Sequence, residues 1–355
     1  MFETLQLNEP HDKQEYISLL SSLQNKNPYY LIDFIDVFDG GLNNLFCFKY
    51  STNNSIIIMP GFLRNVVIGE VITPYFDFIS PYGYSGPYYT SSSNEEDLNK
   101  FWINVDKWYK KNNVVSEFIR FSLHNNYLNY SGDLFPTMLN VKGEIIEADN
   151  QWKSFDRKVR KNVNKASREN LTYTIYYKEI DDKYIEEFHK IYIDTMIRTN
   201  ASESFMYSIY NFKKFIKNNV DTCAICTVYD QGISISSELV LISEDSIFSF
   251  LGGTNESYFD KRPNDFLKFQ LINWAREINK KYFVLGGGYG FEDGIFKYKK
   301  AFFPNDIVTY YTGRKIINEE IYRNLIKLAS DYRVSNGKEP LLLSDNTFFP
   351  LYNKK

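Results

Sequence analysis

The stretch Tyr282–Pro304, YFVLGGGYGFEDGIFKYKKAFFP, carries the strongest structural signal in the chain. Its first residues, Tyr282–Leu285, are apolar and suited to a buried β-strand. The three glycines at 286 to 288 end this strand where the backbone must approach another group closely. Asp293 is suited to capping a helix, which the apolar spacing extends to Phe303. The stretch therefore predicts a strand, a glycine turn and a short helix.

Lys299 has an unusual position on this predicted helix. At about 100° per residue, one face collects the apolar side chains Ile295, Phe296, Tyr298, Phe302 and Phe303. Lys297 and Lys300 fall on the opposite face, whereas Lys299 lies near the middle of the apolar stripe. Such a lysine either extends its ammonium group past its stem to water or points it into a site, and periodicity leaves both interpretations open.

The composition is that of a soluble globular protein long enough for two domains. Among 355 residues, 43% are hydrophobic and 24% are charged. The net charge of −3 gives no reason to expect DNA as a partner. The sequence contains neither a signal peptide nor an apolar run long enough to cross a membrane. Peripheral contact is therefore the one form of membrane association that these patterns leave open. We expect a cytoplasmic protein.

The cysteines and histidines indicate neither a redox centre nor a metal centre. Cys47, Cys223 and Cys226 suit a reducing compartment. The last two have redox-motif spacing but fall within an apparent strand, where both thiols would fill the core. The three histidines are scattered without metal-ligand spacing. We therefore predict no metal.

The hydrophobic pattern changes near residue 149 and divides the chain. We predict a first domain at 1–148, with strands that include Leu31–Phe38 and a rigid aromatic loop within Tyr75–Tyr89. The second domain is predicted at 149–318 and ends in a hairpin over Ile307–Ile317. Residues 319–355 form a C-terminal helix and tail, for which packing back on the first domain is one arrangement.

A cluster of cations opens the second domain. Phe155, Val159, Val163 and Ala166 form the apolar stripe of one predicted helix. The rest of its circumference carries Lys153, Arg157, Lys158, Arg160, Lys161, Lys165 and Arg168. Such a face is either solvated surface or a binding site for phosphates, and the pattern leaves both open.

Two glycine clusters suggest a place for a thin, extended ligand. Gly252-Gly253 is predicted to end one strand and the glycines at 286–288 to end the next, with a helix between them. Adjacent strands that splay at glycines leave unpaired backbone groups. The helix that begins at Pro263–Asp265 would offer free amides and a positive dipole end to a phosphate.

Glu238 lies within the predicted strand ISISSELVLI and shares a face with Ser236, Val240 and Ile242. A carboxylate in a central strand is costly unless it is paired or acts as a base. A salt bridge or an exposed edge strand would explain it without any catalytic role, so both interpretations stay open.

The order of these motifs resembles a known group of enzymes. SSELVLIS, FSFLGGTNESYF, RPNDFLKFQLINWARE, YFVLGGGYG and DGIFKYKKAFFP are similar to the Fem-like branch of the GNAT acyltransferase superfamily, which includes the peptidoglycan bridge aminoacyltransferases. In the first half, YFDFISPYGYSGPYY resembles the PYGYGGP loop of the family, with Ser85 in place of a glycine. Arg120-Phe121 and the run DRKVRKNVNKASREN fall in the expected order. The resemblance covers about residues 27–318.

The resemblance implies two tandem GNAT-like domains in an α/β (α+β) fold, each a mixed, mostly antiparallel sheet flanked by helices, with the site in the second domain. Members transfer an acyl group to an amine, from acyl-CoA or from aminoacyl-tRNA. In the bridge enzymes an aromatic–lysine pair lies in a DGxxx[FY]K motif, which corresponds here to Tyr298-Lys299. The sequence lacks the long helical hairpin of some tRNA-using members, and it lacks the Q/RxxGxG/A pyrophosphate signature of GNAT enzymes. Both donors therefore remain open.

We expect an N-acyltransferase that moves an acetyl or similar group, from a donor such as acetyl-CoA, onto an amine of a sugar or cell-envelope precursor. Polysaccharide biosynthesis is one such setting, and the acceptor is a small-molecule or lipid-linked amine. One alternative is a bridge aminoacyltransferase that uses aminoacyl-tRNA and therefore binds tRNA. Another is a non-catalytic module that holds a glycan or nucleotide precursor.

We assign expected roles to individual residues. Glu238 is the expected base, Lys299 stabilises negative charge, and Tyr298 completes the catalytic set. Amides beside Gly252 and Gly286 would polarise the acyl carbonyl. The expected donor site is formed by Gly252, Gly253, Arg262, Asn264, Asp265, Gly286, Gly287 and Gly288. The other substrate contacts are expected at Tyr82, Tyr84, Arg120, Arg157, Arg160 and Lys161, with the Pro81–Pro87 loop as the wall of an acceptor groove.

Overall fold

The computed structural model describes residues 1–23, 26–90, 92–290 and 292–354. The chain forms two compact units. Unit 1 comprises Met1–Gln24, Asp39–Thr137 and Tyr310–Lys355, and unit 2 comprises Asn25–Phe38 and Met138–Thr309. The chain therefore passes from unit 1 to unit 2 before the boundary predicted at 148/149, and residues 319–355 belong to unit 1.

The strands, in chain order, are β1 (Phe2–Gln6), β2 (Leu45–Ser51), β3 (Ile56–Ile68), β4 (Val71–Ile79), β5 (Tyr88–Tyr89), β6 (Val114–Arg120), β7 (Asp133–Glu144), β8 (Thr172–Tyr177), β9 (Cys223–Asp230), β10 (Ile233–Ile242), β11 (Ser246–Thr254), β12 (Tyr282–Gly286) and β13 (Ile307–Ile316). The helices are α1 (Pro10–Ser22), α2 (Ile32–Phe38), α3 (Glu95–Lys111), α4 (Ala148–Ser154), α5 (Arg157–Arg168), α6 (Asp182–Arg198), α7 (Ile209–Asn218), α8 (Pro263–Glu277), α9 (Gly294–Lys300) and α10 (Glu319–Ser335).

The sheet of unit 1 has the order β1-β2-β3-β4-β6-β13, with β5 on β3. Its pairs are antiparallel except β4 with β6. Asn94 caps α3, and the apolar stripe of that helix packs with Phe48 and Phe78 into one core. A separate core joins α10 to Val66, Val115 and Tyr352.

The sheet of unit 2 has the order β7-β12-β11-β10-β9-β8. Its pairs are antiparallel except β11 with β12, which α8 connects. Parallel neighbours need such a crossover. Leu267, Leu271 and Ala275 of α8 are fully buried against this sheet, so the helix is held firmly beside the two parallel strands.

Several sequence predictions of local structure are wrong. Leu31–Phe38 forms the helix α2 rather than a strand, because its apolar residues recur with helical spacing around Asp33 and Asp36. The predicted hairpin over Ile307–Ile317 is the single strand β13. The basic helix is two helices, since Phe155 is extended and Asp156 caps a new start at Arg157.

Other local predictions are confirmed. Asp293 caps α9 and accepts a hydrogen bond from the amide of Phe296 at 2.8 Å. Cys223 and Cys226 lie buried in β9, and burial raises the pKa of the Cys223 thiol to about 12. Within the part of the chain that the structure describes, no helix combines the length and apolarity needed to cross a membrane.

Candidate active site

The parallel strands β11 and β12 separate partway along their length. They pair from Ser246 with Tyr282 to Phe248 with Val284. Beyond this point β11 continues to Thr254 beside β10, and β12 continues to Gly286 beside β7. Along a strand, successive pairs of backbone N–H and C=O groups point alternately to its two sides. The groups of β11 and β12 that point into this gap therefore form no ladder hydrogen bonds with the other strand. The predicted splay is therefore present in the structure.

The glycines at this gap have different surroundings from those predicted. Gly252 and Gly253 lie inside β11, opposite Glu238 and Ser237, and do not end the strand. A Cβ atom on Gly253 would lie 2.2 Å from Oγ1 of Thr195 on α6. Gly253 therefore permits close packing of α6 on the sheet, which is a structural reason for this glycine.

The carboxylate of Glu238 is buried in an ion pair. Glu238 on β10 is 5% exposed, and its Oε1 accepts a hydrogen bond from Nζ of Lys268 at 2.6 Å. The same Nζ also bonds Oε2 of Glu238 and donates to Oγ of Ser249 at 2.8 Å. Ser249 directly follows the last β11 residue that pairs with β12. The pair therefore lies beside the start of the gap, and the edge-strand interpretation of Glu238 is wrong.

The ammonium group of Lys299 lies on the other side of the gap. Its Nζ donates to the carbonyl oxygen of Gly287 at 2.6 Å, immediately after the end of β12. Burial and the nearby charge of Lys268 lower the pKa of Lys299 to about 8, and Glu238 partly offsets this. Lys299 therefore points inward, whereas Lys297 is exposed, as the helical phase predicts. Ile295, placed by that phase on the apolar face, is 42% exposed.

Tyr298 is held by the first turn of α8. Nδ2 of Asn264 donates to its phenol oxygen at 2.9 Å. Burial, together with the charges of Asp265 and Glu238, raises the pKa of Tyr298 well above its usual value. The phenol therefore keeps its proton at neutral pH and can donate it in a hydrogen bond.

The N-terminus of α8 combines positive charge with unusual backbone geometry. Arg262, the residue before the helix, has φ of 59°, in the left-handed region that non-glycine residues seldom adopt. Nδ2 of Asn162 on α5 donates to Asp265 at 3.1 Å. Burial raises the pKa of Asp265, while this hydrogen bond and the charges of Arg262 and Lys158 oppose the rise. Free amides, a helix dipole and two cations can receive a phosphate here.

The predicted basic residues of α5 differ in their roles. Arg160 donates to the carbonyl oxygen of Lys153 at 2.9 Å and to that of Phe155, so it fastens the end of α4. Arg157 and Lys161 are exposed. Arg160 therefore has a structural use, whereas Arg157 and Lys161 are available to a ligand.

The predicted contacts at Tyr82, Tyr84 and Arg120 all belong to unit 1. The Tyr84 ring packs edge-on against Tyr310, and burial raises the pKa of its phenol. Tyr82 is 40% exposed. Arg120 ends β6 and donates to the carbonyl oxygen of Ser80 at 2.8 Å. Over the described ranges, no group of three or more potential metal-ligating side chains occurs in either unit.

Lys268 is a site residue that the sequence prediction missed. Its helical phase places it between Ala275 and Ile272 on the apolar stripe of α8, as the phase of Lys299 places that lysine on the stripe of α9. Its side chain is 5% exposed, in agreement with that position. A second lysine on an apolar stripe was therefore a usable signal.

Comparison with known proteins supports the predicted class. Residues 153–300 match the family model described as an acetyltransferase (GNAT) domain. The fold is similar to that of FemX, with a TM-score of 0.63 and 13% identity over 91% of this chain and 99% of the other. It is also similar to L-PGS from Bacillus licheniformis, with a TM-score of 0.56 and 13% identity over 88% of this chain and 93% of the other. No curated protein matched the sequence.

A further structural match is the C-terminal domain of a protein from Agrobacterium fabrum that is provisionally assigned as a lysylphosphatidylglycerol synthetase. The TM-score is 0.56, with 11% identity over 87% of this chain and 93% of the other.

Unit 2 therefore contains a GNAT acyltransferase domain, and the prediction of a GNAT-type N-acyltransferase is confirmed. The α/β fold class is also confirmed, and the similarity over nearly the whole chain shows that this chain shares the fold of FemX, in agreement with the predicted resemblance.

Replacing Tyr298 with phenylalanine should lower turnover by about 10²-fold, because the ring remains but the hydrogen-bond donor is lost. The melting temperature should fall slightly, since Asn264 loses its acceptor. Tyr289→Phe is the matched control, because that tyrosine follows the same glycine turn but is 85% exposed. Steady-state kinetics would disprove the role if Tyr298→Phe kept the turnover of the control.

Proposed function

We propose that this chain is a cytoplasmic acyltransferase that moves an acetyl or similar acyl group from acyl-CoA onto an amine of a sugar or cell-envelope precursor. One observation carries the proposal: a buried Glu238–Lys268 pair and the inward-pointing Lys299 lie beside the gap between β11 and β12. A carboxylate, a phenol and an ammonium group at one gap are the groups that amine acylation requires.

The gap fits the donor that we propose. The pantetheine arm of acyl-CoA is thin and carries amides, which the unpaired backbone groups of β11 and β12 can bind. The N-terminus of α8, with Arg262 and Lys158 nearby, can hold the phosphates. When bound, acyl-CoA supplies an activated thioester.

The side chains then act in sequence on the two substrates. The amine must be neutral to attack, so Glu238 takes its proton directly or through water while Lys268 holds the carboxylate in place. Lys299 and backbone amides of β11 and β12 stabilise the negative charge that develops on the acyl oxygen. Tyr298 donates a hydrogen bond to the leaving sulfur, which departs as a thiolate and takes up a proton from water. The bond from carbon to nitrogen forms as the bond from carbon to sulfur breaks.

A second candidate function keeps the site but changes the donor to aminoacyl-tRNA and the acceptor to a lipid-linked molecule. The similarity to FemX and to a protein assigned as a lysylphosphatidylglycerol synthetase favours it, because the latter name describes an aminoacyl group attached to a lipid. Binding of acetyl-CoA distinguishes the two candidate functions. A rise in melting temperature with acetyl-CoA supports the first, and a response to aminoacyl-tRNA alone supports the second.

Replacing both Arg157 and Lys161 with alanine should weaken donor binding about tenfold and flatten its salt dependence, because two exposed cations are lost from α5, the helix whose Asn162 bonds Asp265 in the first turn of α8. Calorimetric titration with acetyl-CoA at two salt concentrations measures both effects. Arg160→Ala serves as a comparison, since it should lower the melting temperature by releasing the end of α4. Unchanged affinity in the double variant would make this helix face ordinary solvated surface.

A further inference from the structure

The sheet of unit 2 has an open edge at β8. This strand pairs on one side with β9, in a register that runs from Thr172 with Tyr229 to Tyr177 with Ala224, and it is the last strand in the sheet order. In an antiparallel strand, every second residue points its N–H and C=O groups away from the partner strand. Within the described residues, no backbone hydrogen bond reaches the outer side of 172–176. The edge therefore presents a row of unpaired backbone groups.

The sequence of β8 lacks the usual protections of an edge strand. Natural edge strands are commonly blocked by a charge, a proline, a β-bulge or a covering element. The six residues TYTIYY are uncharged and contain no proline, and their register with β9 has no shift. Strand β1, the outer strand of the sheet of unit 1, differs because its Glu3 pairs with Lys49 at 2.8 Å. The edge of unit 2 is therefore suited to pairing with another strand.

Ring contacts on both faces of the sheet hold β8 in place. Tyr173, which is 43% exposed, packs edge-on against Phe266 of α8. On the other face, Tyr176 stacks on Tyr184 of α6 with 3.8 Å between the ring centroids. The strand is already ordered before any partner arrives, which lowers the entropic cost of association.

The two ends of β8 carry opposite charges. Lys165 and Arg168, in the last turn of α5, precede the strand, and both are exposed. Glu179 and Asp181 follow the strand and are also exposed. In the described part of the chain, none of these four side chains has an ion-pair partner within 4 Å. Their charges are available to a partner molecule.

Other charges near the strand are already engaged. Glu169 pairs with Lys261 at 3.9 Å, and Asp182 pairs with Lys213 at 2.8 Å. The ammonium group of Lys178 lies over the ring of the preceding tyrosine, 5.5 Å from its centroid. Among the described residues next to the strand, the charges left for a partner are therefore positive before it and negative after it.

We propose that β8 pairs antiparallel with β8 of a second copy of this chain, so that the two six-stranded sheets become one. In an antiparallel pair, the start of each strand meets the end of the other. Twofold symmetry therefore brings the cations before one strand towards the carboxylates after the other, and it does so at both ends. The charge pattern thus fits a second copy in this orientation. This inference does not depend on acyl transfer by unit 2.

The interface is small, so the dimer should dissociate on dilution. Stable interfaces bury about 1,200–2,000 Å² in total, and a pair of six-residue strands lies at the low end of that range. We therefore expect a dissociation constant on the order of 10 μM. Salt should weaken the dimer, because exposed charges contribute to it.

Sedimentation velocity of the full chain at about 1–100 μM, in low and in high salt, tests the proposal. We expect a monomer–dimer equilibrium in which the dissociation constant rises several-fold at high salt. A chain that stays monomeric at every concentration would overturn the proposal.

A charge placed on the edge locates the contact at β8. Thr174→Lys should abolish the dimer over the same concentration range, because a lysine on an edge strand opposes pairing. Thr174 is exposed, so the fold should tolerate the change. Ile197→Lys is the control, since Ile197 is 62% exposed and lies 13 residues along α6 from Tyr184, a distance of about 20 Å. A Thr174→Lys dimer as tight as that of the control would refute this interface.

Charge reversal tests the antiparallel orientation. Arg168→Glu should weaken the dimer about tenfold, because symmetry places the lost attraction at two points. Adding Glu179→Arg should restore the dissociation constant to within about threefold of the wild type, since attraction then returns with exchanged signs. The melting temperature should stay unchanged in both variants, because neither side chain has an ion-pair partner among the described residues. Equal weakening of the dimer in the single and the double variant would contradict the orientation.

Discussion

Lys299→Met is expected to lower acyl transfer by about 10²–10³-fold, the typical cost of removing one donor to a developing oxyanion. The ammonium group lies at the end of β12, where the parallel strands have separated, and donates to Gly287 at 2.6 Å. Methionine keeps the length of the stem but neither charge nor donor. Turnover at saturating donor measures the loss, and Lys297→Met on the exposed face of α9 is the control.

The stability of this variant separates catalysis from structure. Folding lowers the pKa of Lys299 from 10.5 to about 8, so the fold disfavours its charged form. Below pH 8 this lysine costs stability, and the cost disappears as pH rises through 8 towards 10.5. Lys299→Met should therefore leave the melting temperature at pH 7 unchanged or slightly raised.

The turnover of the wild type should also depend on pH, and the lowered pKa of Lys299 sets the direction of this dependence. If the charged lysine is the active form, turnover falls as pH rises through about 8, and Lys299→Met loses this decline. Full activity in Lys299→Met would show that Lys299 has no catalytic role.

Glu238→Gln is expected to lower turnover by about 10²–10⁴-fold, the usual contribution of a general base. The structure also predicts a loss of stability, which could not be expected from the sequence, because the substitution leaves the buried ammonium group of Lys268 without its counter-ion. Breaking a buried pair in this way typically costs roughly 3–5 kcal/mol. Loss of activity in the single variant would therefore mix lost chemistry with lost stability.

A double variant resolves that ambiguity. Glu238→Gln with Lys268→Met removes both charges, and replacement of a whole buried pair is often nearly neutral for stability. We expect the melting temperature to recover while turnover stays low. A double variant that regained wild-type turnover would show that Glu238 serves only to neutralise Lys268.

Local periodicity explains what the sequence revealed of this site. The strand, the cap at Asp293 and the inward direction of Lys299 depend on residues within a few positions of each other. The same helical periodicity also indicates that Lys268 points inward. Its partner Glu238 lies 30 residues away, however, so the ion pair follows only once α8 is packed on β10.

Other features depend wholly on distant contacts. The requirement for glycine at 253 comes from Thr195 on α6, far away in the sequence. Arg160 looks like any cation of the basic helix until α4 ends beside it and offers carbonyl oxygens. The charge pattern alone could not separate Arg160 from Arg157, and it could not reveal that Arg120 borders a cavity built partly by the C-terminal segment.

The release of free CoA thiol from acetyl-CoA tests most directly whether the site in unit 2 handles an acyl donor. Many acyltransferases leak their acyl group slowly to water, so the measurement needs no knowledge of the acceptor. We predict slow release by the wild type and by Lys297→Met, and release at background rate by Lys299→Met and by the Glu238→Gln, Lys268→Met double variant. No release and no acetyl-CoA binding by the wild type, or equal release by all four proteins, would contradict the account.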